Sequence, residues 1–157
     1  MPVDFAFNCC YILALRRNYY SEVKMDKIKN FFQRNDAFAA ACGIELLDVG
    51  EGTAKAKLHL KKQHLNGVGV AHGGIIFTLA DFAFAAASNS HGTIAVAINA
   101  NIQYLTAAKD ETIYAEAKEI SCGRKIASYN IEVTNESKQT IAVFQGMVYR
   151  KDAQLEL

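Results

Sequence analysis

The sequence predicts an α+β fold in which a long antiparallel β-sheet wraps around one central helix. Residues 73–90 are apolar on nearly every helical face, which indicates a buried helix rather than a surface helix. Six other segments are strand-like, the last four of them long and rich in β-branched and aromatic residues, and several of the turns between them are short. Because a domain has about 150 residues, a chain of 157 residues is expected to form one domain.

The N-terminal part of the chain differs from the rest. Residues 1–24 are predicted to be an extension that is either non-native or a short helix packing on the domain or on a partner subunit. An apolar run at residues 6–15 lacks a preceding basic region and is too short to span a bilayer. The domain itself is predicted at residues 25–151, with a C-terminal tail at residues 152–157.

The first elements of the domain are a helix and a hairpin. Apolar residues recur at helical spacing over residues 26–41, and Gly43 follows at the position where a left-handed cap is common. Two strands are predicted next, Ile44–Val49 and Thr53–Leu60, joined by a turn at residues 50–52. Apolar and polar residues alternate in the second strand, so one of its faces should be buried and the other exposed.

The second half of the domain is predicted to be mainly β-sheet. A glycine-containing loop at residues 61–72 leads into the buried helix, and four strands follow it in a meander with short hairpins. These strands are Ile94–Leu105, Thr112–Ser121, Lys125–Thr134 and Gln139–Arg150.

Charge and cysteine content exclude several classes of function. The 17 Lys and Arg residues against 16 Asp and Glu residues leave a net charge of +1, without the basic excess of a nucleic-acid-binding protein. The cysteines show neither a disulfide framework nor paired C-x-x-C spacing, which favours free thiols that act as small buried apolar groups. They are Cys9, Cys10, Cys42 and Cys122. We therefore expect a cytoplasmic protein with neither nucleic acid nor membrane as its partner.

Asp81 and the start of the central helix are the main candidates for chemistry. An ionised carboxylate in the middle of an apolar helix is costly unless it is paired, exposed or functional. Gly73 and Gly74 leave the helix N-terminus approachable, and that terminus favours developing negative charge on a carbonyl under attack. The same glycines would also suit an ordinary tight turn, and a structural partner would also explain Asp81.

The spacing of these groups predicts a shared site. Asp81 lies eight residues after Gly73. In a regular helix this separates them by about 12 Å along the axis and about 80° around it. One chain therefore should not bring both groups to the same carbonyl, and if they act together they must come from two subunits.

The same residues resemble a known family. The pattern is similar to the signature of the hotdog-fold acyl-CoA thioesterases of the phenylacetate-pathway (PaaI-like) type, over roughly residues 26–150. It reads Asn66-x-x-Gly69-x-x-His72-Gly73-Gly74-x-x-Phe77-x-Leu79-Ala80-Asp81-x-Ala83. The pair Asn89-Ser90 and the segment Asn101-Ile102-Gln103-Tyr104-Leu105 also resemble this family. The resemblance implies a hotdog fold, in which the sheet wraps around the long helix.

The resemblance also implies an activity and a set of roles. The reaction would be hydrolysis of an acyl-CoA to free acid and CoA, with an aromatic or a medium-chain acyl group as candidates. Asp81 would act as general base or nucleophile, and the Gly73 N–H would polarise the thioester carbonyl. His72 would lie close by, and Asn66 would hold the water or the carbonyl. Family members are commonly tetramers built from dimers with shared sites.

Further residues are candidates for substrate contact. Gly74 and Phe82 flank the proposed catalytic groups, and His64 sits beside the site loop as a minor contributor. Arg124 and Lys125 could bind the phosphates of CoA, although an ordinary solvated turn would explain them equally. No cofactor is expected, since the CoA thioester is the substrate. No metal site is expected either, because no two histidines are paired at ligand spacing.

Two alternative functions share the fold. A hotdog dehydratase or hydratase would use a histidine with a carboxylate, and His72 and Asp81 could form that pair. A non-enzymatic acyl-CoA-binding protein would bind without releasing thiol. Known regulators of that kind carry a DNA-binding helical module, for which residues 1–24 are too short and insufficiently basic.

Overall fold

A computed structural model of the protein describes residues 22–157, so the predicted extension lies almost entirely outside the described residues. Residues 22–35 are helical (α1), and a short second helix, α2, follows at Ala37–Cys42. The hairpin strands are β1 (Glu45–Gly50) and β2 (Thr53–His59), and a 3-10 turn covers Lys62–His64. The central helix is α3 (Gly73–Asn89). The last strands are β3 (Thr93–Tyr104), β4 (Thr112–Cys122), β5 (Ile126–Asn135) and β6 (Thr140–Gln154).

The first helix is interrupted, which the sequence analysis did not predict. Asp36 ends α1 and caps α2, because its side chain accepts a hydrogen bond from the Ala39 N–H at 2.9 Å. A carboxylate at this position satisfies a backbone donor that would otherwise lack a partner at a helix start. Gly43 then ends α2 in the left-handed conformation, with φ of 75°, as predicted.

The six strands form one antiparallel sheet in the order β1-β2-β4-β5-β6-β3. The prediction of a four-strand meander is therefore wrong, since β3 pairs with β6 and lies at the edge of the sheet. The link at residues 105–111 allows this crossing. The distance from β3 to β4 is three strand spacings, or about 14 Å. The seven residues of the link exceed this distance when they are extended, since each then covers about 3.3 Å.

The sheet wraps around α3, which contacts all six strands. Burial alternates along β4 and β5, as expected for a sheet with one face on a core. A close approach is possible at Gly146 of β6, where an added Cβ would lie 2.6 Å from the Phe84 ring of α3. This arrangement fixes α3 along its whole length and holds its two ends in defined places.

The C-terminal end of α3 is tied to the sheet by polar groups. Asn89 accepts a hydrogen bond from the Ala95 N–H at 2.9 Å, and Ser90 Oγ accepts one from the Gly52 N–H at 2.7 Å. Strand β6 continues to Gln154, past the domain limit predicted at residue 151. Within residues 22–157, the helices are too short or too polar to cross a membrane.

Candidate active site

The loop before α3 is folded tightly and carries Asn66. The His72 N–H donates to the His64 carbonyl and the Ala71 N–H to the Ala108 carbonyl, each at 2.8 Å. Asn66 Oδ1 accepts from the N–H groups of Val68 and Val70, at 3.0 and 3.3 Å. The oxygen of this side chain therefore shapes the loop, and its amide N–H₂ group is the part that could meet a substrate.

The N-terminus of α3 leaves one backbone donor free. An α-helix begins with four N–H groups that lack an intrahelical partner. Three of them are engaged: the His72 N–H by the His64 carbonyl at 2.8 Å, the Gly74 N–H by His72 Nδ1 at 2.9 Å, and the Ile75 N–H by the His72 carbonyl at 3.0 Å. Among the described residues, none accepts a hydrogen bond from the Gly73 N–H. The helix thus presents this N–H to a ligand.

The hydrogen bond from the Gly74 N–H to Nδ1 sets the tautomer of the His72 ring. Since Nδ1 accepts the Gly74 N–H, the neutral imidazole carries its proton on Nε2. His72 is exposed, so the Nε2–H of its ring is available as a second donor at the start of α3. Its place in the site and its role stay predictions.

Tyr104 supports the Gly73 peptide from the end of β3. Its hydroxyl donates to the Gly73 carbonyl at 2.9 Å. A Cβ added at Gly73 would lie 3.1 Å from the Tyr104 ring, so the ring packs against the glycine. The sequence made Tyr104 a candidate for the lining of an acyl pocket, but nothing in the pattern of a strand end shows that it reaches the helix start.

Two grooves flank the start of α3. One, of about 330 Å³, is lined by Asn66, Gly73, Ile76 and Tyr104 together with Val70, Ala71, Leu105, Thr106 and Ala107. The other, of about 630 Å³, is lined by Phe38, Ala41, Cys42, Gln63, His64, His72, Gly74, Ile75 and Thr78. The helix start therefore separates a groove with the free N–H from a wider and more apolar groove.

Asp81 lies apart from Gly73 in the same chain. It is partly buried on α3 and lines neither of the two grooves. Because α3 is a regular helix from Gly73 to Asn89, the axial separation of about 12 Å expected from the spacing holds. Burial raises the pKa of Asp81, and the carboxylate of Asp36 at the start of α2 adds to the rise. Both effects disfavour the ionised form.

His64 is a buried member of the wider groove. Its Nδ1 accepts a hydrogen bond from the Lys61 N–H at 3.1 Å. Burial lowers the pKa of His64, and the positive charge of Lys61 lowers it further. The neutral ring thus holds the loop and contributes surface to the groove.

The remaining predicted substrate contacts are scattered within one chain. Gly74 lines the wider groove, but Phe82 of α3 is 3% exposed and packs in the core. Arg124 and Lys125 lie in the β4–β5 turn, at the C-terminal end of α3 and not near Gly73. Lys125 pairs there with Asp152 at 2.7 Å. That Arg124 and Lys125 contact the substrate stays a prediction. At the Gly73 of a given chain, such contacts would require the Arg124 and Lys125 of another chain.

Several known proteins are similar to this chain in sequence and in structure. A family model described as the thioesterase superfamily matches residues 68–142, which include the last part of the site loop and all of α3. An enzyme named acyl-coenzyme A thioesterase PaaI from Escherichia coli is 39% identical over 117 residues, or 74% of this chain and 84% of the enzyme. Its structure superimposes with a TM-score of 0.82 at 35% identity, over 85% of this chain and 97% of that chain.

Two further proteins are similar. A putative esterase from Archaeoglobus fulgidus is 46% identical over 127 residues, or 80% of this chain and 82% of the relative. A Streptococcus mutans protein whose structure was determined with acetyl CoA matches with a TM-score of 0.68 at 27% identity. That match covers 71% of this chain and 91% of the S. mutans chain. The chain therefore belongs to the thioesterase superfamily and is a hotdog-fold thioester hydrolase of the PaaI-like acyl-CoA thioesterase type.

Proposed function

We propose that the protein hydrolyses an acyl-CoA in a site that two chains share, with Asp81 from one chain and Gly73 from the other. The Gly73 N–H donates to the thioester oxygen, and the His72 Nε2–H stands beside it. The observation that carries this proposal is the free Gly73 N–H at the start of α3, where the other three terminal donors are already hydrogen-bonded.

The reaction can be written with these groups. Asp81 takes a proton from water, and the resulting hydroxide adds to the thioester carbon while the carbonyl oxygen becomes an oxyanion. The oxyanion is stabilised by the Gly73 N–H and the positive end of the α3 dipole. The C–S bond then breaks, and the CoA thiolate leaves and takes up the proton that Asp81 had taken from water, which restores the carboxylate. A raised pKa makes Asp81 a stronger base than an ordinary aspartate, which suits this role.

The exposed edge of the sheet supports a shared site. Strand β3 has a neighbour on one side only, and residues 96–101 are exposed on both faces. Val96 and Ile98 are 40% and 54% exposed there. A long exposed edge of this kind is normally covered. A second copy of the chain paired at β3 would cover it, and Tyr104 at the end of β3 connects this edge to Gly73.

Two relatives support an acyl-CoA as the substrate. The S. mutans relative was determined with acetyl CoA, and the E. coli relative is named an acyl-coenzyme A thioesterase. For this chain we propose an aromatic or a medium-chain acyl group, with Asn66 holding the water or the carbonyl. We also propose Gly74, Phe82, Arg124 and Lys125 as substrate contacts, a tetramer of two such dimers, and a location in the cytoplasm.

The proposal is tested by following free thiol during incubation with a panel of acyl-CoAs. The panel runs from acetyl through medium-chain to phenylacetyl and benzoyl groups. Wild type should release thiol from at least one of them, while Asp81→Asn and Asp81→Ala should lose the activity. Equal rates in wild type and both variants would contradict the assignment of Asp81. Loss or gain of an enoyl double bond without thiol release would favour a hydratase.

A single turnover in ¹⁸O-labelled water separates the two roles of Asp81. If Asp81 is the base, the label enters the released acid and the protein stays unlabelled. If Asp81 attacks the thioester directly, water opens an acyl-aspartyl anhydride, and label appearing in the Asp81 carboxylate by mass spectrometry would overturn the base assignment.

A further inference from the structure

A second cluster of chemically active side chains lies at the opposite end of α3. His91 follows the helix C-terminus, and Glu119 and Cys122 stand at the end of β4. His91 Nε2 lies 2.7 Å from Glu119 Oε2 and 4.0 Å from Cys122 Sγ. The three atoms all lie within 4.8 Å of one another. The length of α3, about 25 Å, separates the cluster from Gly73 of the same chain.

We propose that His91, Glu119 and Cys122 bind a zinc ion. An imidazole nitrogen, a carboxylate oxygen and a thiolate are the ligand types that zinc takes, and three protein ligands leave a fourth position for water. Tetrahedral bonds of about 2.0–2.3 Å place the ligand atoms about 3.3–3.6 Å apart. The His91 and Glu119 atoms need to separate by about 0.6 Å, and the Cys122 sulfur needs to approach by about 0.4 Å.

The surrounding groups hold these ligands as a metal site requires. Glu51 Oε1 lies 3.7 Å from His91 Nδ1, on the side of the ring that faces away from Glu119 and Cys122. A carboxylate there favours a proton on Nδ1 and leaves Nε2 to bind the metal. The Tyr129 hydroxyl donates to Glu119 Oε2 at 2.6 Å and fixes that carboxylate. Tyr129 is itself 1% exposed, so its position is set by the core.

Charge and access also agree with a bound dication. Zinc with one thiolate and one carboxylate is neutral, and the Arg150 guanidinium and the Glu51 carboxylate beside the cluster compensate each other. Arg150 donates to Cys122 Sγ at 3.0 Å, a contact that suits a thiolate. The side chains of His91 and Glu119 are 17% and 21% exposed, so water can reach the fourth coordination position of the zinc ion. The ion would tie the loop after α3 to the end of β4.

The competing arrangement is an ion pair without metal, in which a protonated His91 sits between Glu51 and Glu119. The variant His91→Lys separates the two cases, since it keeps a positive charge between the carboxylates and removes the imidazole ligand. Cys122→Ser removes the thiolate with little change in size. Cys42→Ser is the matched control, because Cys42 lies on α2, outside the cluster.

The experiment uses the full-length protein after treatment with a chelator, in a Cys9→Ser/Cys10→Ser background that removes the two thiols outside the described residues. Zinc is added in a calorimeter, and cobalt(II) is added in a spectrophotometer. We expect one zinc ion per chain, and a near-ultraviolet band from thiolate-to-cobalt charge transfer. Zinc should also raise the Tm of this protein.

Each outcome decides the proposal. Loss of a group that only hydrogen-bonds to a metal ligand typically weakens metal binding about 10–100-fold. Loss of a ligand itself, in His91→Lys or Cys122→Ser, should therefore weaken it at least about 100-fold. Cys42→Ser should bind as tightly as the background protein. Absence of stoichiometric binding, a cobalt spectrum without the thiolate band, or full binding in both ligand variants would overturn the site. Thioesterase activity is no part of this test, so the proposed function and the zinc site can fail separately.

Discussion

Replacing Gly73 by proline should remove the proposed oxyanion donor and little else. Proline lacks a backbone N–H, and it is favoured at the first position of a helix. The residue before a proline must be extended, and His72 has φ of −64° and ψ of 135°, which suits this requirement. The Gly73 N–H has no acceptor among residues 22–157, so no internal hydrogen bond is lost.

The expected magnitude follows from the arrangement of donors. The Gly74 N–H cannot replace the missing donor, because it is bonded to His72 Nδ1 at 2.9 Å. Removing one oxyanion donor typically lowers kcat by about 10²–10³-fold, or about 2.7–4 kcal/mol of transition-state stabilisation. We therefore expect Gly73→Pro to lose activity by this factor, with a smaller change in KM.

The matched control is Gly73→Ala. Its Cβ meets the Tyr104 ring at 3.1 Å, as the proline Cβ does, but the N–H remains. Both variants are compared by initial rates of thiol release from the best acyl-CoA substrate, and their folding is checked by circular dichroism and Tm. Alanine and proline variants with the same kcat would refute the assignment of the Gly73 N–H.

Three further predictions follow from the same site. Burial raises the pKa of Asp81 above its ordinary value of 3.8, so ionisation costs stability as the pH rises past that value. Asp81→Asn should have a higher Tm than wild type at about pH 7, and the difference should vanish below about pH 3.8; a lower Tm at neutral pH would contradict the burial argument. Asp36→Asn keeps a good helix cap but removes a negative charge that raises the pKa of Asp81. The acidic limb of the pH profile of kcat/KM should therefore move to lower pH, and an unmoved limb would exclude coupling between Asp36 and Asp81. Tyr104→Phe removes the bond to the Gly73 carbonyl, and kcat should fall by up to about tenfold with KM nearly unchanged, whereas a change in KM alone would argue against a positioning role.

The central helix and most of the strands could be predicted from local patterns. Residues 73–90 were predicted to be a buried helix, and α3 runs from Gly73 to Asn89. The position of β3 at the edge of the sheet could not be predicted, because strand order depends on which surfaces pack and not on the turn residues alone. The break at Asp36 was missed since apolar spacing continues on both sides of a residue that caps the second helix.

The site shows a similar division between local and long-range features. The glycines at the start of α3 and the carboxylate at Asp81 have local signals, namely a helix N-terminus and a charge in an apolar helix. Tyr104 and Asp36 reach the site through tertiary contacts, for which a single sequence has no signal. The cluster of His91, Glu119 and Cys122 was missed for the same reason, since its members come from separate elements. Cys122 is also exposed, which corrects the expectation of buried free thiols.

The most direct test of the account is complementation between two inactive variants. Asp81→Asn and Gly73→Pro chains are produced together in equal amounts, and thiol release is compared with that of each variant alone. If Asp81 of one chain works with Gly73 of its partner, half of the dimers are mixed and each mixed dimer holds one intact site. Activity should then return to about a quarter of the wild-type value. Activity no higher than the mean of the two variants would contradict the shared site.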